Sequence, residues 1–121
     1  MANSELLRST MAYIESHVHE WDQFAWAHRG DCGTAMCFAG WAVTLAGAEV
    51  DFTRFGDESS TSTITPASQR ELGLRSSYID EAARELLDLS LDQSEELFCA
   101  SNSMERLRML VDELAAGGGD A

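Results

Sequence analysis

The chain has 121 residues, 45% of them hydrophobic and 24% charged, which is ordinary usage for one globular domain and argues against wholesale disorder. Acidic residues number 21 and basic residues 8, giving a net charge of −13. A chain this acidic is expected to avoid free DNA, RNA and anionic membranes, because every phosphate contact would work against its own field.

Residues 4–21 read as an amphipathic helix, capped by Asn3 or Ser4. Leu7, Met11, Ile14, Val18 and Trp21 recur on one helical face, and Glu5, Arg8, Glu15 and Glu20 fall away from it. A connector over 22–34 carries Phe24, Trp26 and the pair Gly30 and Gly33, which argues against a continuous helix there. Thr34 is the expected cap of the next helix. That helix, 35–46, is apolar on every side, so it is expected at the centre of the domain. It is too short to span a bilayer, and Gly47 ends it.

Residues 48–76 are the least regular. Val50, Phe52 and Phe55 predict a short extended piece on the core, 57–66 a Ser/Thr-rich surface loop, and 68–74 a helical turn ending at Gly73. The last third is helical again. Ile79, Ala82, Ala83, Leu86 and Leu87 keep a helical period, and Ser90 with Gln93 forms a capping box. Asn102 with Glu105 reads as a second box before the stripe Leu107, Leu110, Val111 and Leu114. The fold expected is all-α: about five helices around the buried helix 35–46, one domain over 1–116, and a disordered tail at 117–121.

The stretch CGTAMCFAGW, residues 32–41, is the most informative for function. Cys32 precedes a predicted helix start, where backbone amides lower a thiol pKa, and His28 stands four residues upstream as a base. His28, Cys32 and Cys37 are also candidate metal ligands, although C-x4-C is not the spacing of a zinc knuckle. The bland alternative makes Cys37 a small buried apolar residue and Cys32 a turn residue. Trp26, His28, Arg29, Cys32 and Trp41 are candidates to bind a ligand, the indoles stacking on a nucleobase and Arg29 meeting a phosphate. The alternative places the tryptophans in the core. His17 and His19 are two apart on a helix and read as surface histidines. Glu81, Glu85, Asp88, Asp92, Glu95 and Glu96 form an acidic cluster, either a solvated face or a mimic of a nucleic-acid backbone.

CGTAMCFAGW, preceded by Trp21 and Trp26 and followed by ELLDLSLDQSEELF over 85–98, resembles a group of small uncharacterised proteins of actinobacterial phages and scattered bacterial genomes. Cys32, Gly33, Thr34, Cys37, Ala39, Gly40 and Trp41 match its first motif, and Leu86, Leu87, Leu89, Leu97 and Phe98 its second. Asp88 stands where that group has glycine, which suggests a continuous helix there. The resemblance carries no activity, catalytic residue or cofactor. It implies a phage or bacterial accessory protein in a host cytoplasm, acting by binding a host component, most simply a host protein. An Arg-only basic set fits a GC-rich genome, and three cysteines with no paired framework fit a reducing cytoplasm. A nucleotide sponge and a cysteine- or zinc-dependent function are the alternatives. The amphipathic first and last helices leave a homodimer open.

Overall fold

The computed structural model describes residues 3–21, 27–30, 33–51, 59–61, 63–99 and 101–117. In chain order these form α1 (Ser4–Ser16), a 3₁₀ turn (Val18–Glu20), β1 (Ala27–Gly30), β2 (Gly33–Ala35), α2 (Phe38–Leu45), β3 (Ser59–Thr61), α3 (Pro66–Leu72), α4 (Ile79–Leu87), α5 (Leu91–Leu97) and α6 (Met104–Gly117). The protein is a helical bundle, as its periodicity predicts. The all-α expectation needs one addition, a small antiparallel sheet of order β2-β1-β3.

Asn3 caps α1: its side chain accepts from the Leu6 amide at 3.1 Å. Leu7, Met11 and Ile14 are buried on one face. The helix does not run to residue 21. At His17 the backbone leaves the helical region (φ −134°, ψ 53°). Val18 is then 54% exposed. Trp21 turns extended and pairs in parallel with Met36.

The apolar stretch 35–46 is also shorter as a helix than its pattern suggests. Ala35 belongs to β2, Met36 to the bridge with Trp21, and Cys37, not Thr34, is the N-cap position of α2; Thr34 pairs with Arg29 in the β1–β2 ladder. A continuous apolar run has no period, and only its pairing partners decide where strand gives way to helix. From Met36 to Val43 every residue is buried, whereas Leu45 is 40% exposed. α2 packs mainly on α1 and α4, and α6 packs mainly on α1. Burial of a side chain as large as Phe38, wholly shielded here, contributes about 1.5–3 kcal/mol.

The three strands fall within, or overlap, the segments expected to be irregular, 22–34 and 57–66. β1 pairs with β2 from His28–Ala35 to Gly30–Gly33, and with β3 from Ala27–Thr61 to Arg29–Ser59. Thr63 and Ile64 each form an isolated bridge, with Tyr78 and Val50. Asp51 donates to the Thr63 carbonyl at 3.0 Å, Ile64 to Ser77 at 2.8 Å and Thr65 to Glu49 at 2.9 Å. Residues 63–65 therefore thread between two neighbouring segments, and Ile64, 1% exposed, is a core residue inside a polar run. Val50 bridges Ile64 as an extended piece; Phe52 and Phe55 lie outside the described residues. Thr65 then caps α3, and Gly73 ends it in the left-handed region at φ 67°.

The helix ends in the last third satisfy one another. Ser90 and Gln93 make the expected reciprocal box on α5. Asn102 does not cap α6. It is buried, and its side-chain amide donates to the carbonyls of Glu96 (2.8 Å) and Leu97 (3.0 Å), closing the end of α5. Ser103 caps α6 instead, accepting from the Arg106 amide at 3.1 Å. Leu107, Leu110 and Val111 are buried, with Leu114 packed beside them. α6 runs to Gly117; residues 118–121 of the expected tail lie outside the described residues. Two exposed ion pairs, Arg8–Asp112 at 3.4 Å and Arg108–Glu15, cross from α1 to α6. The apolar faces of α1 and α6 pack on one another within the chain.

Asp88 does not extend α4. It ends the helix in the left-handed region at φ 56°, with Leu89 donating to the Arg84 carbonyl at 3.1 Å. The main-chain carbonyl of Leu87 there accepts from the Asn3 amide at 2.7 Å, and that of Leu86 from the Asn3 side chain at 3.2 Å. A continuing helix would need those carbonyls for itself. A left-handed aspartate costs roughly 1 kcal/mol relative to glycine. Asp88→Gly is expected to raise stability by up to about 1 kcal/mol, and Asp88→Val to lower it by more than about 1 kcal/mol. Urea denaturation midpoints of the two variants check this.

Candidate functional site

The residues singled out around 26–41 do not form one described site. Trp26 and Cys32 lie outside the described residues, and for His28 and Arg29 only the backbone, in β1, is described. Cys37 is 1% exposed at the N-cap of α2, which agrees with its reading as a small buried apolar residue. No group of three or more His, Cys, Asp or Glu side chains that could hold a metal ion occurs among the described residues.

Trp41 is buried, and its indole N–H donates to the Glu20 carbonyl at 2.8 Å. The Met36 amide donates to the same oxygen at 3.0 Å. One carbonyl at the end of the 3₁₀ turn thus receives both the strand-like segment before α2 and a side chain from within α2. Tyr13 lies against Trp41, with ring centroids 4.6 Å apart and planes tilted by 39°. His17 stacks on the other ring partner, Tyr13, at 4.0 Å and 12°. Its Nδ1 is 2.9 Å from the Tyr13 carbonyl and must carry the proton, since a carbonyl only accepts. His17 is therefore a half-buried member of a ring stack rather than a surface histidine. The Tyr13 hydroxyl donates to Glu20 Oε1 at 2.8 Å. This cluster joins α1 to α2. Its polar atoms are turned to one another, and the Trp41 N–H is engaged rather than offered to a ligand.

Open concavities lie elsewhere among the described residues, one of about 370 Å³ beside the start of α1, lined by Asn3, Leu6, Leu45 and Leu86 among others. A cleft of about 320 Å³ lies between α4 and α5, lined by Asp80, Glu81, Arg84, Leu91, Ser94, Glu95 and Phe98. Phe98 is buried and Leu91 is 57% exposed. Three carboxylates meet one guanidinium there, so the cleft disfavours phosphates and other anions. Glu81, Glu85, Asp88, Asp92, Glu95 and Glu96 are all exposed, as is Asp80; Asp80, Glu81 and Glu95 line the cleft, and Glu85 Oε2 accepts from the Arg75 amide at 3.0 Å. Sequence reasoning found the acidic cluster but not the cleft, because Leu91 and Phe98 look like ordinary members of a helical stripe. The signal available was Leu91 at the first position of α5, directly after the Ser90 cap, outside the core-facing set. Glu96 is partly neutralised by Arg106 at 3.5 Å, an exposed pair.

Comparison with protein-family models, curated proteins and solved structures finds no match to this chain. Among the described residues no helix is long and apolar enough to cross a membrane.

Cys99, not considered among the candidate residues, is exposed beyond α5, with Sγ 3.1 Å from Ser101 Oγ. The Ser101 side chain, the Ser101 backbone and the charge of Arg106 together hold its thiol below the ordinary value of 9.0. In the native protein iodoacetamide is expected to alkylate Cys99 readily and Cys37 only after unfolding, as peptide mass spectrometry of labelled samples checks. Burial, then the hydrogen bond to Glu20 and its charge, push the Tyr13 phenol above 10.0. The stability this contributes is complete below pH 10.0 and is lost as pH rises through the folded value. Glu20→Gln is expected to bring the phenol part of the way back, as NMR titration of ring-labelled tyrosine would show.

Proposed function

We propose that the protein is a non-catalytic binding module that captures the basic surface of a partner protein through the exposed carboxylates of α4 and α5. The observation that carries this reading is the concentration of Asp80, Glu81, Glu85, Asp88, Asp92, Glu95 and Glu96 on two consecutive helices and the Asp88 cap between them, all exposed, with Arg84 the one basic residue in that run. A net charge of −13 extends the same field over the rest of the chain. Such a surface speeds encounter with basic partners and repels nucleic acid and anionic lipid. The resemblance to phage and bacterial accessory proteins suggests a host protein as the partner and a bacterial cytoplasm as the setting. No cofactor enters this reading.

Immobilised protein, exposed to lysate of a GC-rich bacterium, is expected to retain a basic protein in stoichiometric amount. Retention should fall steeply between about 0.1 M and about 0.5 M salt, as the Debye length drops from roughly 10 Å to less than half that. A variant carrying Glu85→Gln, Asp92→Asn and Glu96→Gln should lose most of it. Absence of a stoichiometric partner, or a partner indifferent to both salt and these substitutions, would overturn the reading.

A further inference from the structure

We infer that the α4–α5 cleft is the docking site for an amphipathic helix of the partner, one that presents a bulky apolar side chain flanked at helical spacing by arginine or lysine. This deepens the proposed function and rests on it. The cleft combines two features in one concavity of about 320 Å³: an apolar wall made by Leu91 and Phe98, and the carboxylates of Asp80, Glu81 and Glu95. Leu91 is left 57% exposed although the first turn of α5 is otherwise well formed by the Ser90 box. An apolar side chain seated against Leu91 and Phe98 would remove that surface from water. Basic side chains one helical turn to either side would complement three carboxylates opposed by Arg84 alone. The occupant is a helix rather than a strand because both walls are helices, whose backbone donors and acceptors are already engaged. With no sheet edge to pair with, an extended peptide would bury unsatisfied backbone groups, whereas a helix satisfies its own.

The probe is a fluorescein-labelled amphipathic helical peptide built from leucine, arginine and alanine, with a counterpart in which serine replaces leucine. Fluorescence anisotropy is expected to show binding of the leucine peptide to the full chain, and binding of the serine peptide weaker by about tenfold or more. Leu91→Gln should weaken the leucine peptide by a similar factor while leaving the circular dichroism spectrum unchanged. Glu81→Gln with Glu95→Gln should flatten its salt dependence. Equal binding of the two peptides, or no effect of Leu91→Gln, would overturn the cleft as the docking site, as would no peptide binding at all. The salt-sensitive capture of a basic protein, tested separately, would survive each of those results. A dimer of the chain that Leu91→Gln dissolves, seen by sedimentation, would assign the cleft to a second copy and likewise overturn the proposal.

Discussion

The backbone carbonyl of Glu20 is the point on which the arrangement turns. It receives the Met36 amide and the Trp41 indole N–H, using both of its lone pairs. The first contact fixes the chain as it enters α2, and the second fixes the rotation of α2 about its own axis. Residues 36–43 have no side that tolerates water, so α2 has to be enclosed. Hydrophobic burial supplies the drive but has no direction. The direction comes from this carbonyl and from the Tyr13 ring lying on Trp41.

The helices are held at their ends as much as along their faces. Asn3 caps α1 and also binds the carbonyls of Leu86 and Leu87 at the end of α4. Asn102 closes α5 while Ser103 starts α6. Among the described residues no buried side-chain polar atom lacks a partner. Helix termini carry the unsatisfied backbone groups, so cross-bonding of one terminus to another sets helix orientation without a large interface. The left-handed Asp88 follows from this: α4 must stop where Asn3 meets it. That stop turns the chain into α5 and creates the cleft between α4 and α5.

The chemistry of the molecule is divided between two places. The aromatic cluster at Tyr13, His17 and Trp41 is turned inward and joins elements. Leu91 and the carboxylates of α4 and α5 are exposed, with Glu85 held by the Arg75 amide and Glu96 by Arg106. Among the described residues the ring cluster is engaged internally, and the α4–α5 cleft is acidic and part apolar, a combination that disfavours phosphates. The exposed ion pairs between α1 and α6 contribute little to stability, since such pairs are worth at most about 1 kcal/mol each.

Much of the fold was legible because it is local. Periodicity marked α1, α4 and α6, the Ser90–Gln93 box marked α5, Gly73 ended α3, and the lack of any polar face marked 35–46 for burial, which holds over 36–43 but not at Leu45. The acidic face was legible as well, since exposed carboxylates in a helical run need no partner to be read. What stayed hidden depended on segments distant in sequence. Ala35 and Met36 are apolar in either a strand or a helix, and pairing with His28 and Trp21 decided between them. Ile64 is one apolar residue in a polar run, buried where its own amide donates to Ser77, Thr65 donates to Glu49 and Thr63 accepts from Asp51. Asn102 and Ser103 are both good caps, and only the approach of α5 assigned one to each helix. The sequence by itself determined which residues had to be buried and which had to be solvated, because those are properties of side chains. The tertiary structure alone decided where each helix stops and which apolar residue stays open beside the carboxylates, because helix ends and clefts are made by backbone groups meeting across the chain.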